Sequence, residues 1–220
     1  MGTAKLFGFE LLSNFRFPYF SRDVAEFWRR WHISLSSWFR DYLYIPLGGS
    51  KEGKLKAVRN TFIIFLVSGF WHGASWNFIA WGFIHACAFL PLLLLNRNQK
   101  HASDVVAQNR QFPTGKELLQ MVTTFAFVTF AWVFFRAKDM KEAVGYLKGV
   151  FINYKQAPDL LLYSNMFYYI IPLILGDWWL RRDERKLKVP KIGSSIIYFI
   201  LGILVLFYFG KKTNFIYFQF

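Results

Sequence analysis

The chain has 220 residues, 55% of them hydrophobic, 21% aromatic and 18% charged, with a formal net charge of +14. Soluble domains carry about 25% charged residues, so the balance is shifted toward a protein of the bilayer. The basic excess excludes a nucleic-acid partner as the first reading, because Lys and Arg lie between hydrophobic segments rather than along one sustained face.

The chain opens on Gly2, Lys5, Phe7 and Glu10, without the uninterrupted apolar core of a signal peptide or a spanning helix. It reads as an entrance partway through a larger protein. From Ser21 to Tyr42 the pattern is helical and amphipathic. Phe27, Trp28, Trp31, Leu35, Trp38, Phe39 and Tyr42 fall in one arc, opposite Glu26, Arg29, Arg30, Ser34, Ser36, Ser37, Arg40 and Asp41, with Ile33 the one misfit. Ser21 is the expected N-cap, with Asp23 in the first turn, and the helix should stop near Pro46, before Gly48 and Gly49. Tryptophans opposite arginines describe a helix lying in the membrane interface, with His32 at the edge of the apolar arc.

Two net basic stretches follow, Gly48 to Arg59 and Arg97 to Lys116, and both are expected on the cytoplasmic side. The apolar run between them, Thr61 to Leu95, is too long for one span of about 20 residues and short for two. A hairpin of short or re-entrant legs fits best, bent at Ser68 to Asn77, where small and polar residues cluster. Non-helical backbone at membrane depth has to be buried in protein or line a cavity, so the bend implies a cavity with His72 on it. Leu118–Phe135, Leu160–Leu180 and Ile192–Gly210 read as further crossings. The basic stretch Arg181 to Lys191 is expected in the cytoplasm, and Lys211 to Phe220 at the outer interface. The fold class is therefore all-α: a polytopic transmembrane protein with an amphipathic interfacial helix and a short or re-entrant helical hairpin.

Few ionisable groups fall inside the apolar stretches, and such residues are functional candidates because burying them costs free energy. His85 reads as a packing or interfacial residue, and Arg136 and Asp177 as boundary residues reaching headgroups. His101, in a polar loop, carries no signal. Cys87 is the single cysteine, which excludes an internal disulfide or a CxxC metal site, and it reads as a small buried hydrophobe. His72 has a different setting. Gly69 and Gly73 permit close approach, Trp71 and Trp76 offer flat walls, and Ser68, Ser75 and Asn77 offer hydrogen bonds. The plain reading is a histidine capping a helix break. The functional one is a general base, since an imidazole of ordinary pKa, about 6.5, can take a proton from a hydroxyl at neutral pH. His32 is either a second catalytic group or an interfacial aromatic. Metal binding by the two lacks nearby carboxylates. There is no Gly-x-Ser-x-Gly elbow, no phosphate-binding loop and no His-Glu-x-x-His.

Several stretches resemble one family. They are Phe27 to Ser36 (FWRRWHISLS), Phe39 to Gly49 (FRDYLYIPLGG), Ser68 to Ala74 (SGFWHGA), Phe130 to Arg136 (FAWVFFR) and Phe215 to Phe220 (FIYFQF). Together they closely resemble the membrane-bound O-acyltransferase (MBOAT) family, in particular its bacterial alginate O-acetyltransferase-like branch. The resemblance implies a helical membrane domain of which residues 1–220 are the C-terminal portion, in the inner cell membrane with several passes. It implies an O-acyltransferase moving an acyl group, acetyl in that branch, from a cytoplasmic thioester toward hydroxyls of an extracellular polysaccharide such as alginate. His72 corresponds to the catalytic histidine and His32 to its companion. In this reading His72 is the general base, and a covalent acyl-histidine is the other route. No bound cofactor is implied; the donor is acetyl-CoA or an acyl carrier. Partners are the lipid bilayer, that donor, and an extracytoplasmic acetyltransferase or polysaccharide-synthesis complex. Within the family a D-alanyl transferase for teichoic acids would share the histidines. From other classes, a transporter would use the hairpin as a gate, and a scaffold would dock a partner on the basic helix.

Overall fold

The computed structural model describes residues 2–153, 164–182 and 190–208, and every regular element among them is helical. The expected outer-interface segment, the motif at Phe215 to Phe220 and most of the basic stretch Arg181 to Lys191 lie outside the described residues.

A short helix α1 (Gly2–Leu6) leads into an extended segment and a 3-10 turn at Pro18–Phe20. Two short helices follow, α2 (Val24–Arg30) and α3 (Ile33–Phe39), and a π-helical turn at Arg40–Tyr44. The single interfacial helix expected over Ser21 to Tyr42 is thus broken. Trp31 is extended and His32 is left-handed (φ 45°, ψ 55°), so the chain changes direction between α2 and α3. The N-cap is Asp23, whose side chain accepts from the Glu26 amide, and not Ser21.

The polar side of α2 faces protein as well. Glu26 is fully buried and forms a two-pronged pair with Arg22, at 3.0 Å on each arm. Arg30 donates to the same carboxylate at 2.7 Å, and Arg22 reaches Asp104 at 2.8 Å. Asp104 is held below the usual carboxylate range: its partial burial works the other way, and the Arg22 hydrogen bond and charge outweigh it. Breaking one partner of a buried pair costs about 3–5 kcal/mol. Arg30 remains beside Glu26, so Arg22→Met is expected to cost about 3 kcal/mol, the low end of that range. An unfolding midpoint for Arg22→Met equal to that of the unaltered protein would contradict this.

The expected hairpin is present as α4 (Lys54–His72) and α5 (Trp76–Leu94). Each leg has 19 residues, about 28 Å at a rise of roughly 1.5 Å per residue, so the legs are longer than expected. The bend is confined to residues 73–75. The legs touch backbone to backbone at two mirrored places: Gly69 lies against the Phe78 carbonyl and Gly82 against the Phe65 carbonyl. Small residues permit this close approach between apolar helices.

Next comes α6 (Gly115–Arg136), started by a capping box between Thr114 and Glu117. It runs antiparallel to α5, with Trp81 packed on Ala131 and Phe134. Helix α7 (Met140–Ile152) turns back over the end of α6 after an Asp139 cap and buries Ala143 in the same cluster. The bundle therefore has a bend end, with residues 73–75 and the C-terminus of α6, and a loop end formed by residues 95–114. Helix α8 (Ser164–Leu180) ends at the loop end. There the Trp178 indole donates to Gln111 O at 3.0 Å, and Arg181 donates to the carbonyls of Val106 and Arg110. Arg181 is buried and bound to carbonyls, rather than exposed on a basic loop. Helix α9 (Lys191–Tyr208) completes the described chain.

Among the described residues two helices, α5 and α6, are long and apolar enough to cross a membrane, and Met166–Leu180 and Gly193–Leu204 are shorter apolar helices. Cys87 is exposed on α5 rather than buried. A residue facing outward into lipid and one facing a core read alike in an apolar run.

Candidate active site

His72 is the last residue of α4, and the amide of Gly73 closes the turn by donating to Phe70 O at 3.1 Å. A Cβ at position 73 would fall 2.7 Å from the Phe78 ring, so glycine there lets Phe78 tuck beneath the bend. The His72 imidazole is held by ring edges: Phe135 at 4.8 Å, Trp71 at 4.9 Å and Trp81 at 5.5 Å between centroids. It makes no hydrogen bond to a described residue, so its ring nitrogens remain available for chemistry.

His32 stands at the N-cap of α3 but does not cap it with its side chain. Its Nδ1 is buried without a hydrogen-bond partner among the described residues, and Phe15 packs against the ring at 5.8 Å. A left-handed non-glycine residue costs about 1–3 kcal/mol and persists only where surrounding structure enforces it. The break between α2 and α3 brings His32 within electrostatic reach of His72. Two histidines forty positions apart in sequence, one at a helix start and one at a helix end, thus stand within reach of each other's charge.

His85 is fully buried, as a packing residue would be, inside a cage of Phe27, Trp28, Phe65, Trp81 and Phe127. Its Nδ1 accepts a hydrogen bond from the Trp28 indole at 3.2 Å, which fixes α2 to α5. Trp81 touches both His85 and His72. Asn77 does not serve the bend as expected. Its amide donates to the carbonyls of Phe134 at 3.2 Å and Ala137 at 2.6 Å and ties the end of α6 to the start of α5. Ser75, expected to supply a hydrogen bond, caps α5 without a side-chain bond.

A cavity of about 300 Å³ lies between α3, the π-helical turn, the hairpin and the loop end. Arg40, Tyr44, Asn98 and Gln99 supply its polar lining, and Leu35, Ile64, Phe65 and Phe89 its apolar walls. Ser68, one helical turn before His72, is also on the wall. His72 is not, contrary to expectation, because Phe135 and Trp81 hold its ring toward α6. Arg136, expected at headgroups, is exposed at the end of α6 and lines an open cleft between α6 and α7 together with Trp132, Glu142 and Tyr146. Among the described residues no group of three His, Cys, Asp or Glu could hold a metal ion.

The role of Asn14 at the α2–α3 break had no signal in periodicity, because Asn14 lies outside the helical window. Its main-chain and side-chain oxygens take the first two amides of α3, both at 2.9 Å.

The sequence profile described as MBOAT, membrane-bound O-acyltransferase family, matches residues 2–131. A peptidoglycan O-acetyltransferase of Helicobacter pylori is 43% identical over 151 residues, 68% of this chain and 27% of that protein. A probable alginate O-acetylase AlgI of Pseudomonas putida is 33% identical over 214 residues, 96% of this chain and 36% of that protein. A teichoic acid D-alanyltransferase of Streptococcus thermophilus is 41% identical over 92 residues, 39% of this chain and 22% of that protein. The chain thus spans no more than 36% of the length of these relatives.

Proposed function

The chain belongs to the membrane-bound O-acyltransferase family, and from that premise we propose that it carries the transfer centre of a multi-pass inner-membrane enzyme that O-acetylates an extracellular polysaccharide. The donor is a thioester, acetyl-CoA or an acetylated carrier, approaching from the loop end. The observation that carries the reading is the placement of His72 at the bend of the hairpin, within reach of the charge of His32 and one turn beyond the inner wall of a cavity that begins at the basic loops.

In this mechanism the acyl donor lies in the cavity with its polar part toward Arg40, Asn98 and Gln99 and its thioester toward Ser68. His72 takes the proton of an acceptor hydroxyl as the oxygen attacks the carbonyl carbon. The tetrahedral adduct collapses, the C–S bond breaks, and the proton on His72 passes to the departing thiolate. His32 donates a hydrogen bond to the oxygen on which negative charge develops. The rings of Trp71, Trp81 and Phe135 against His72 limit the water that competes with the acceptor.

D-Alanyl transfer to teichoic acid uses the same acid–base steps. Acetylation is preferred here because relatives named alginate O-acetylase match 96% of the chain, whereas those named D-alanyltransferase match 39% and 63%.

Narrowing the cavity tests the donor route. Ile64→Trp is expected to raise KM for the acetyl thioester about tenfold while leaving kcat within a few-fold, the pattern of lost binding common to ground and transition states. Initial rates in native membranes, with acetyl and D-alanyl thioesters supplied separately, make the measurement. An unchanged KM removes the cavity from the donor path, and a preference for the D-alanyl thioester replaces acetylation.

A further inference from the structure

The break that delivers His32 is held by a segment distant from either helix. The carbonyl of Arg30, at the end of α2, accepts from the amide of Arg16 at 2.9 Å. On the other side of the break, the amide of Ile33 donates to Asn14 O at 2.9 Å, and the amide of Ser34 donates to Asn14 Oδ1 at 2.9 Å. Residues 14–16 therefore form a splint, satisfying helix-end groups that otherwise need a cap. Phe15, between the two contact points, lays its ring against Trp31 at 4.8 Å and His32 at 5.8 Å.

The consequence falls on His32. An N-cap side chain ordinarily accepts from the amides of the first turn, and at this helix start that side chain would be the imidazole. Asn14 performs the capping in its place. His32 occupies the N-cap position with no capping bond, and its Nδ1 is buried with no hydrogen-bond partner among the described residues. We propose that Asn14 is a positioning residue: by capping α3 from outside, it holds His32 in its left-handed conformation and leaves the imidazole free for the reaction at His72.

This rests on the acyl-transfer reading and assigns it one further residue. Asn14 does not touch the reacting groups and acts through His32. Loss of Oδ1 lets the imidazole turn inward to cap α3 itself, which withdraws it from the site. Asn14→Asp keeps an acceptor oxygen for the Ser34 amide, whereas Asn14→Ala keeps only the main-chain oxygen.

The test is a double-mutant cycle in the natural gene product in its own membrane, with rates normalised to the amount of protein present. Asn14→Ala is expected to lower kcat at least tenfold with KM for the thioester unchanged, and Asn14→Asp to stay within about threefold of the unaltered protein. In a His32→Ala background, Asn14→Ala should cause no further loss, because the residue through which it acts is gone. A merely structural role predicts the same fractional loss in both backgrounds. That result overturns the inference, as does an Asn14→Ala rate within twofold of the unaltered protein, or an Asn14→Asp rate as low as that of Asn14→Ala. Should Asn14→Ala not accumulate, Asn14→Leu, which keeps the side-chain bulk but offers no acceptor, takes its place in the cycle with the same expected and overturning outcomes. If His32→Ala and His72→Ala both leave acetylation intact, the acyl-transfer reading itself has failed, a distinguishable result.

Discussion

Gly82→Ala is expected to force the hairpin apart. The added Cβ points into the Phe65 carbonyl, with the carbonyl carbon at 2.9 Å, and an alanine at Gly69 meets Phe78 in the same way, its carbonyl carbon at 3.0 Å. These obstacles are helix backbone atoms, Phe65 mid-helix in α4 and Phe78 in the first turn of α5, so neither can rotate away as a side chain would. Overpacking costs about 1–3 kcal/mol where side chains can adjust, and here we expect about 3 kcal/mol or more. Separating α4 from α5 also moves His72 relative to Trp81 and Phe135, so activity should fall with stability. The internal control is Gly149→Ala in α7, where nothing lies within 4 Å of the new Cβ. That change removes a helix-interior glycine and should be neutral or stabilising by up to about 1 kcal/mol. Thermal unfolding in detergent compares the two, and equal midpoints for Gly82→Ala and the unaltered protein would refute the close contact.

His72→Ala is the second large effect. Losing a general base typically costs a factor of about 10² to 10⁴ in rate, and no neighbouring described side chain is placed to replace it. His85 is enclosed in five aromatic rings with Nδ1 already bound to Trp28. His32 stands at the start of a different helix, α3, and its Nδ1 is buried. The loss should appear in kcat, with KM for the thioester retained, because His72 is not on the cavity wall. The protein should remain in the membrane in normal amount, since the imidazole makes no hydrogen bond whose loss would unfold α4. His72→Gln should be as inactive as His72→Ala, because an amide fills the space without accepting the proton.

The hairpin and the placement of His72 at its bend were legible in the residues. An apolar run too long for one crossing, with its small and polar residues gathered in the middle, has few other solutions. The break at His32 was not legible. Helical periodicity weighs positions only within its own window, and the group that takes the Ile33 and Ser34 amides, Asn14, lies outside it. The burial of Arg22 and Glu26 was hidden for a similar reason. Charges opposite tryptophans resemble a solvated face until Asp104, 82 positions away, arrives to pair with them. The cavity was foreseen but misplaced by one helical turn, because sequence cannot show which side of α4 Phe135 and Trp81 draw the imidazole toward.

The most direct test of the central claim follows the acyl group itself. Native membranes containing the unaltered protein or His72→Ala, matched for protein amount, receive acetyl-labelled thioester together with the acceptor polysaccharide. The label appearing in the polymer as alkali-labile ester is then counted. The account predicts ester label with the unaltered protein and a fall of at least about a hundredfold with His72→Ala. Equal label in the two membranes would contradict it.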